Sequence, residues 1–371
     1  MKGIIKMANV YNHSKLAFHK EKLEALAKGE VSAPIYVRVK PTNKCNHRCF
    51  YCSYDPDFEY ILSERLKRND EIPEKKMMEI LDDFRDIGVK AVTYSGGGEP
   101  LIYPYINKTL EKTLENRIDL SIITNGQKLD GRRAELLTQA KWVRVSADYC
   151  DEKTFSRIRR VPKVLFHKLV DNLRNFAERK NPDCEFGINF VINGKNFDRI
   201  YESARFFKEL GVNHIKFSPL YTPRGFLEYH APFKERVIEE IKRTKELEDT
   251  NFAIYSTYEN DFKLAGVDER KYSRCFMMET VPVIAADSVI YFCHDKAYAE
   301  TGILGSIKDK SFREVWFSEE AAKIFRNFDA KKICRHHCTG DCRNISIQTM
   351  INDLGNLGKY LPKSDKHKNF I

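Results

Sequence analysis

Short apolar runs alternate with longer amphipathic stretches over the first two thirds of the chain. The apolar runs predict six β-strands: Ile35–Val39, Ala91–Ser95, Asp119–Thr124, Trp142–Ser146, Glu185–Ile192 and His214–Pro219. Apolar residues at helical spacing predict α-helices near Glu74–Ile87, Ile106–Glu115, Arg132–Gln139, Phe166–Arg179 and Phe197–Leu210. Because strand–helix repetition builds a parallel sheet, the pattern predicts an α/β fold. Its six units are too few for a complete eight-stranded barrel.

Polar motifs follow the carboxyl end of each predicted strand. In chain order they are a cysteine loop at residues 45–52, the run Ser95-Gly96-Gly97-Gly98-Glu99-Pro100, Thr124-Asn125-Gly126, Ser146-Ala147-Asp148, the pair Asn189 and Asn193, and Ser218. In a parallel α/β barrel these ends meet on one face, which is where the active site lies. The sequence therefore predicts one site on that face.

The cysteine loop has the spacing Cys45-x3-Cys49-x2-Cys52, with Tyr51 just before the last cysteine. Three thiolates on a short loop can hold one metal centre but leave one position open. Structural zinc sites are closed by four protein ligands, so the spacing favours catalysis. His47 lies inside the loop and could supply a fourth ligand, which keeps zinc as an alternative.

This loop resembles the signature of the radical S-adenosylmethionine (SAM) enzymes. The resemblance implies that Cys45, Cys49 and Cys52 hold three irons of a 4Fe–4S cluster, while the amino and carboxylate groups of SAM chelate the fourth. It also implies that the α/β fold is a partial (βα)6 TIM-like barrel.

The later motifs extend the resemblance to the SAM site. Glycines let a backbone approach a ligand closely, and the run ending in Glu99-Pro100 is similar to the family's Gly-Gly-Glu-Pro motif. The resemblance implies that Gly97, Gly98 and Glu99 hold the SAM ammonium group. It places Thr124 and Asn125 near the adenosyl moiety.

Two further SAM contacts come from the fourth strand and the segment after it. The Ser-x-Asp pattern implies that Ser146 contacts SAM. The segment Ile158-Arg159-Arg160 resembles an Ile-Arg-Gly segment whose arginine reaches the SAM carboxylate, with Arg160 in place of the glycine. Arg159 is the expected residue and Arg157 is a competing candidate.

A second cysteine set lies in the C-terminal third. Cys275 and Cys293 flank a segment predicted to form a hairpin with a polar turn, and Cys334, Cys338 and Cys342 follow. The set resembles the auxiliary-cluster extension called SPASM in its two-cluster form and Twitch in its one-cluster form, with Ser288 where the pattern has glycine.

Five cysteines cannot ligate two cubane clusters, so one auxiliary 4Fe–4S cluster is expected. Its expected ligands are Cys275, Cys293, Cys334 and Cys338, with Cys342 as the substitute. Four cysteines can also close a zinc site, which remains an alternative here. His336 and His337 are expected to line the loop.

Bulk properties fit an enzyme with an appendage. The chain has 371 residues and a formal charge of +10, which favours anionic partners. Ten cysteines without a signal peptide or membrane segment indicate metal binding and a cytoplasmic location. The expected divisions are an N-terminal helical extension (1–33), the barrel (34–250), the auxiliary-cluster domain (251–345) and a tail (346–371).

The preferred function is hydrogen abstraction from a carbohydrate or nucleotide-sugar, leading to dehydrogenation, epimerisation or dehydration. An electron donor such as flavodoxin or ferredoxin is the expected partner, and nucleic acid is not. Expected substrate contacts at the barrel mouth are Asp148, Asn189, Asn193 and Arg224. Cys150 could return a hydrogen atom to a substrate radical, although a small buried hydrophobe is the simpler interpretation.

Two alternatives remain. One is peptide or protein modification, disfavoured because the short helix at 16–26 leaves no room for a leader-peptide domain. The other is a non-enzymatic zinc-binding or RNA-binding module, which would require all six strand-end motifs to share one face by coincidence.

Overall fold

The structure is a computed structural model that describes residues 11–54, 64–222, 225–264, 270–334, 338 and 340–371. Ten strands form one sheet in the order β10-β9-β8-β1-β2-β3-β4-β5-β6-β7. Their bounds are β1 Tyr36–Val39, β2 Ala91–Tyr94, β3 Asp119–Thr124, β4 Trp142–Ser146, β5 Glu185–Ile192, β6 His214–Pro219, β7 Ala253–Ser256, β8 Val283–Ile284, β9 Val289–Tyr291 and β10 Ile303–Ser306.

Fifteen α-helices accompany the sheet within the described residues. They are α1 Lys20–Lys28, α2 Glu74–Ile87, α3 Ile106–Glu115, α4 Gly131–Leu137, α5 Glu152–Arg159, α6 Leu165–Arg179, α7 Ile200–Glu209, α8 Phe226–His230, α9 Lys234–Thr244, α10 Tyr258–Leu264, α11 Met277–Thr280, α12 Phe312–Trp316, α13 Glu319–Asn327, α14 Ala330–Ile333 and α15 Asp341–Ile351. None of them is long and apolar enough to cross a bilayer.

Strands β1 to β7 are parallel neighbours in chain order, as strand–helix repetition predicts. Successive side chains of a strand point to opposite faces. The apolar set, such as Val37, Val143 and Ile215, belongs to the main hydrophobic core together with apolar residues of the helices. The other set lines the inside of the barrel.

The predicted fold class is confirmed, with one added strand. Strands β3 to β6 have the predicted bounds, and β1 and β2 are each one residue shorter. The seventh strand, β7, pairs with β6 beyond residue 250, where the sequence placed the end of the barrel. The division into four segments otherwise stays a prediction. Gly211 ends α7 in the left-handed conformation expected of a glycine cap.

The predicted hairpin in the C-terminal third forms from β8 and β9, which pair in antiparallel fashion. Ser288 in its turn has φ +58°, the left-handed region that glycine favours. Strand β8 also pairs in parallel with β1, and Lys40 donates its backbone N–H to the carbonyl of Ile284 at 2.8 Å. The C-terminal third is therefore hydrogen-bonded into the barrel sheet.

The segment around Lys15 and the C-terminal tail pack at the amino-terminal end of the barrel strands. Lys15 donates to the carbonyl of Phe370 at 3.3 Å, and the Asn369 amide donates to Asp119 at 2.7 Å. The Phe370 ring contacts the rings of Tyr36 and Trp142 with centroids 5.5 and 5.4 Å apart. The tail thus closes this end of the barrel.

Candidate active site

The cysteine loop lies at the carboxyl end of β1 and is held by the end of α5. The backbone N–H groups of Arg48 and Phe50 donate to the carbonyls of Arg159 and Ile158 at 3.0 and 3.1 Å. Cys45 is exposed, and Cys49 and Cys52 are half-buried, so the thiols face an opening. These two hydrogen bonds fix the loop beside Arg159, the residue expected to reach the SAM carboxylate.

The three thiols fit a cubane cluster. Although Cys45 is exposed as a residue, desolvation of its thiol, followed by the carboxylate of Glu99, raises its pKa to about 12, so a nearby cation such as a metal ion would favour the thiolate. Among the described residues, no three His, Cys, Asp or Glu side chains converge on a single ion. A cubane does not require convergence, because each cysteine binds a different iron.

His47 does not complete a zinc site in the described geometry. Its ring is buried, both ring nitrogens lack a hydrogen-bond partner among the described residues, and it packs edge-on against Phe155. Burial and then Arg159 lower its pKa to about 3. Its backbone N–H donates to Cys45 Sγ at 3.4 Å, so the residue shapes the loop.

The glycine run packs directly on the segment that follows β1. A Cβ on Gly98 would lie 1.9 Å from the carbonyl oxygen of Lys44, and one on Gly97 would lie 2.2 Å from Asn43 Oδ1. Gly98 donates its N–H to the Thr42 carbonyl at 3.0 Å. Glycine is required here by close approach, which couples this run to the cysteine loop.

Glu99 joins the second and third strand ends. Its buried carboxylate accepts from the Thr124 hydroxyl at 2.6 Å and from the backbone N–H groups of Asn125 and Leu101 at 2.7 and 2.9 Å. Burial raises its pKa, against the lowering effect of these hydrogen bonds. The Asn125 amide donates to Asn46 in the cysteine loop at 2.8 Å. The structure thus brings the predicted SAM residues together around the loop.

Arg159 lies in a buried network with Asp148 and Tyr51. It donates to Cys49 Sγ at 3.2 Å, to the Ser146 carbonyl at 2.8 Å and to Asp148, whose other oxygen accepts from the Tyr51 hydroxyl at 2.6 Å. Burial opposes charge on the guanidinium, but Asp148 holds the pKa of Arg159 above its ordinary value. Arg157 is exposed and donates to the Lys195 carbonyl, so the structure favours Arg159.

The predicted substrate-binding residues differ in how far they are buried. Asp148 is fully buried by the network above, and Asn193 is fully buried in a turn in which it accepts from the Lys195 N–H at 2.9 Å. Both geometries favour structural roles, and substrate contact stays a prediction for them and for half-buried Asn189.

The Cys150 thiol accepts a hydrogen bond from Arg199 at 3.6 Å, and Cys150 does not line the barrel cavity described below.

Three predicted or considered residues lie outside the described part of the chain: Arg224, His336 and His337.

The C-terminal cysteines lie close enough for some of their thiols to influence one another. The pKa of Cys275 is raised to about 12 by burial and then by Cys338 and Cys334, and that of Cys293 is raised by burial, Asp295, Cys338 and Cys275. Burial and then Asp341 and Asp261 raise the pKa of Cys342, at the start of α15. The expected ligand set of Cys275, Cys293, Cys334 and Cys338, with Cys342 as the substitute, stays a prediction.

A cavity of about 290 Å³ occupies the inside of the barrel. Three strands line it with the same alternating pattern: Tyr36-Val37-Arg38-Val39, Trp142-Val143-Arg144-Val145 and His214-Ile215-Lys216-Phe217. The first and third residue of each run face the cavity, and the second and fourth belong to the outer core, although Val143 also touches the cavity. Gly187 leaves the space that the His214 ring occupies beside the cavity, because a Cβ at position 187 would lie 2.2 Å from that ring.

This lining was not predicted, although the sequence contains a signal for it. Buried parallel strands are usually continuous apolar runs, so an Arg or Lys at the third position of three strands is unusual. Two more lining residues, His294 and Arg343, directly follow Cys293 and Cys342. The cavity therefore extends from the barrel strands to the second cysteine set.

Together, the thiol loop, the glycine run and Arg159 at the open end of a parallel barrel define an enzyme site for a cluster held by three cysteines. A model of the radical SAM superfamily matches residues 39–207, and a model of an iron–sulfur cluster-binding domain, SPASM, matches residues 275–343. The chain belongs to the radical SAM superfamily. It therefore uses a 4Fe–4S cluster with SAM, and the SPASM domain adds an auxiliary cluster.

Curated relatives share part of the chain. GTP 3′,8-cyclase of Listeria monocytogenes is 29% identical over 191 residues, 50% of this chain and 54% of the relative. An S-adenosylmethionine-dependent nucleotide dehydratase of Lacinutrix mariniflava is 27% identical over 41% of this chain and 32% of its own length. The chain spans about half the length of the first of these relatives.

Solved structures share the fold. SuiB of Streptococcus suis bound to the precursor peptide SuiA superposes with a TM-score of 0.61 and 20% identity, covering 91% of this chain and 80% of SuiB. The enzyme anSMEcpe with bound AdoMet gives a TM-score of 0.56 and 16% identity over 88% of this chain and 99% of its own. At these identities the likeness concerns architecture alone.

Proposed function

We propose that this radical SAM enzyme abstracts a hydrogen atom from an anionic small molecule of the sugar, nucleotide or nucleotide-sugar class. The observation that carries the proposal is the half-buried, basic cavity inside the barrel. Five basic side chains line it (Lys15, Arg38, Arg144, Lys216 and Arg343), against one acidic side chain, Glu185. A volume of about 290 Å³ suits a small molecule.

When bound, the cluster and SAM supply a 5′-deoxyadenosyl radical, and the protein binds and orients the reactants and excludes water. In this proposal Glu99, Thr124, Asn125, Ser146 and Arg159 position SAM beside the thiol loop. The substrate would lie in the cavity, whose lining includes His294 and Arg343, the residues that follow Cys293 and Cys342. The expected auxiliary ligands are Cys275, Cys293, Cys334 and Cys338, which would allow electron transfer from an oxidised substrate.

The similarity to a GTP cyclase and a nucleotide dehydratase supports an anionic, nucleotide-like substrate. The sugar assignment, the three reaction types, a flavodoxin or ferredoxin donor and a cytoplasmic location remain predictions. Cys150 as a hydrogen donor has weaker support, because its thiol lies beside Arg199 and Asp151.

A second candidate is peptide modification, since the SuiB fold was seen with a precursor peptide bound. A peptide would have to place a side chain in the barrel cavity, whose far end the tail closes. The cavity chemistry would then favour an acidic side chain.

The test is formation of 5′-deoxyadenosine by anaerobically reconstituted protein with a chemical reductant, SAM and a panel of nucleotides, nucleotide-sugars and sugar phosphates. We expect one substrate class to stimulate its formation and, when deuterated, to transfer deuterium to it. The Cys45→Ala/Cys49→Ala/Cys52→Ala variant should form none. Stimulation by acidic peptides alone would replace the proposal with the second candidate.

A further inference from the structure

Four cations meet inside the barrel from separate parts of the chain. Arg38, Arg144 and Lys216 are the third residues of β1, β4 and β6, and Arg343 comes from α15. We call them the cationic quartet. Lys216 is close enough to two of the others to be influenced by them: burial and then Arg144 and Arg343 lower its pKa to about 8.

The quartet lacks acidic partners of its own. Among the described residues, no carboxylate forms an ion pair with any of its four members, whereas Glu185 in the same cavity is engaged by His214 at 3.0 Å and by Lys366. Asp261 and Asp295 act on the quartet only from longer range. Like charges held together in a half-buried cavity cost free energy that an anion would offset.

Polar nitrogen atoms without a partner also surround the cavity. Within the described part of the chain, Nε of Arg144, a donor, is buried without a partner, and so are Nδ1 of His294 and both ring nitrogens of His367. Buried polar atoms normally find a hydrogen-bond partner, so these atoms indicate a ligand or ordered water in the cavity. Aromatic rings of Tyr36 and Trp142 form the adjoining wall.

We propose that the cationic quartet binds a phosphoryl group, either a phosphate or a pyrophosphate, of the substrate. The inference rests on the proposed function and narrows its substrate class to phosphorylated molecules. Three of the four cations are arginines, whose planar forks match phosphate oxygens bidentately. Four positive charges also exceed what one carboxylate would balance.

The position of the quartet fits an anchoring role. Lys216 lies three residues before Pro219 at the end of β6, which is about 10 Å at the usual strand rise. The phosphoryl group would thus lie deep in the barrel, and the rest of the molecule would extend toward the open end where the thiol loop lies.

The test is calorimetric titration of anaerobically reconstituted full-length protein with inorganic pyrophosphate, and with malonate as a carboxylate comparator. We expect pyrophosphate to bind more tightly than malonate, and less tightly as salt rises. Arg144→Gln and Lys216→Gln should each weaken binding by about tenfold or more, and Arg144→Lys by less. Arg132→Gln, on an exposed ion pair with Glu111, is the matched control and should bind as wild type.

Circular dichroism and iron content identify variants that fail to fold, and the comparison of pyrophosphate with malonate on wild type stays decisive in that case. No pyrophosphate binding at millimolar concentration, equal binding by Arg144→Gln, or tighter binding of malonate would each overturn the inference. Absence of 5′-deoxyadenosine formation by wild type would instead overturn the proposed function, so the two failures are distinguishable.

Discussion

The Arg159–Asp148–Tyr51 network should make Asp148 far more sensitive to substitution than a surface aspartate. Asp148 is fully buried, and its two oxygens accept from Arg159 and from Tyr51. Asp148→Asn keeps the shape and the Tyr51 contact but leaves the guanidinium without its counter-charge. Breaking a buried pair from one side costs about 3–5 kcal/mol. Arg159 retains its contacts with Cys49 and the Ser146 carbonyl, so we expect about 3 kcal/mol.

The assay is urea unfolding of reconstituted protein followed by circular dichroism, with iron content measured on the same samples. Asp82→Asn is the matched control, because Asp82 pairs with Arg85 at 2.7 Å with 40% of its side chain exposed. Exposed pairs contribute less than about 1 kcal/mol. Tyr51→Phe should fall between the two, at about 1.5 kcal/mol. Equal unfolding midpoints for Asp148→Asn and Asp82→Asn would refute this account of the network.

Three more predictions follow from single residues. Burial would raise the pKa of Glu185, but hydrogen bonds and ion pairs with His214 and Lys366 hold it at about 2. The ionised carboxylate therefore contributes its full share to the free energy of unfolding above about pH 4.5, and this contribution is lost as the pH falls toward 2. Wild type should lose about 1.4 kcal/mol of unfolding free energy between pH 7 and 3.5 that Glu185→Gln does not lose. Ser288→Gly and Arg160→Gly should each stabilise by about 0.5–1 kcal/mol in thermal unfolding, because both residues have left-handed φ, +58° and +52°. Cys338→Ala should lower iron from about eight to about four per chain, and Cys342→Ala should leave it unchanged.

Each of these has a clear contrary outcome. Parallel pH profiles for wild type and Glu185→Gln would mean that the carboxylate is not held ionised by its partners. A destabilised glycine variant would show that the serine or arginine side chain contributes more than the backbone conformation costs. Iron loss in Cys342→Ala would move that thiol into the auxiliary ligand set.

The sequence predicted the scaffold well because its signals are local. Four of the six strands have the predicted bounds, since each is a short apolar run limited by turn residues. The departures from family glycines at Ser288 and Arg160 were also visible, and the chain keeps the left-handed conformation at both. At both positions the fold imposes the left-handed conformation although the residue is not a glycine.

Other features depend on tertiary closure and could not be predicted. An asparagine after a strand can bind a ligand or complete a turn, and only the structure shows Asn193 buried in a turn. Likewise Arg38, Arg144 and Lys216 are separated by about 70 to 180 positions, and they share a cavity only because the sheet curves. The same holds for the expected auxiliary thiols, because three separate segments supply them: Cys275, Cys293, and the pair Cys334 and Cys338.

The parallel pairing of β8 with β1 makes the two family modules inseparable as folding units. A truncated barrel ending before the hairpin would lose the backbone bonds from Arg38 to Pro282 and from Lys40 to Ile284, at 3.0 and 2.8 Å. It would expose the edge of β1, the strand that leads into the cysteine loop, as a template for aggregation. Residues downstream of the barrel thus protect its first strand. Replacing the SPASM domain by that of a relative would therefore require the new domain to supply a strand that pairs with β1, as well as the cysteines.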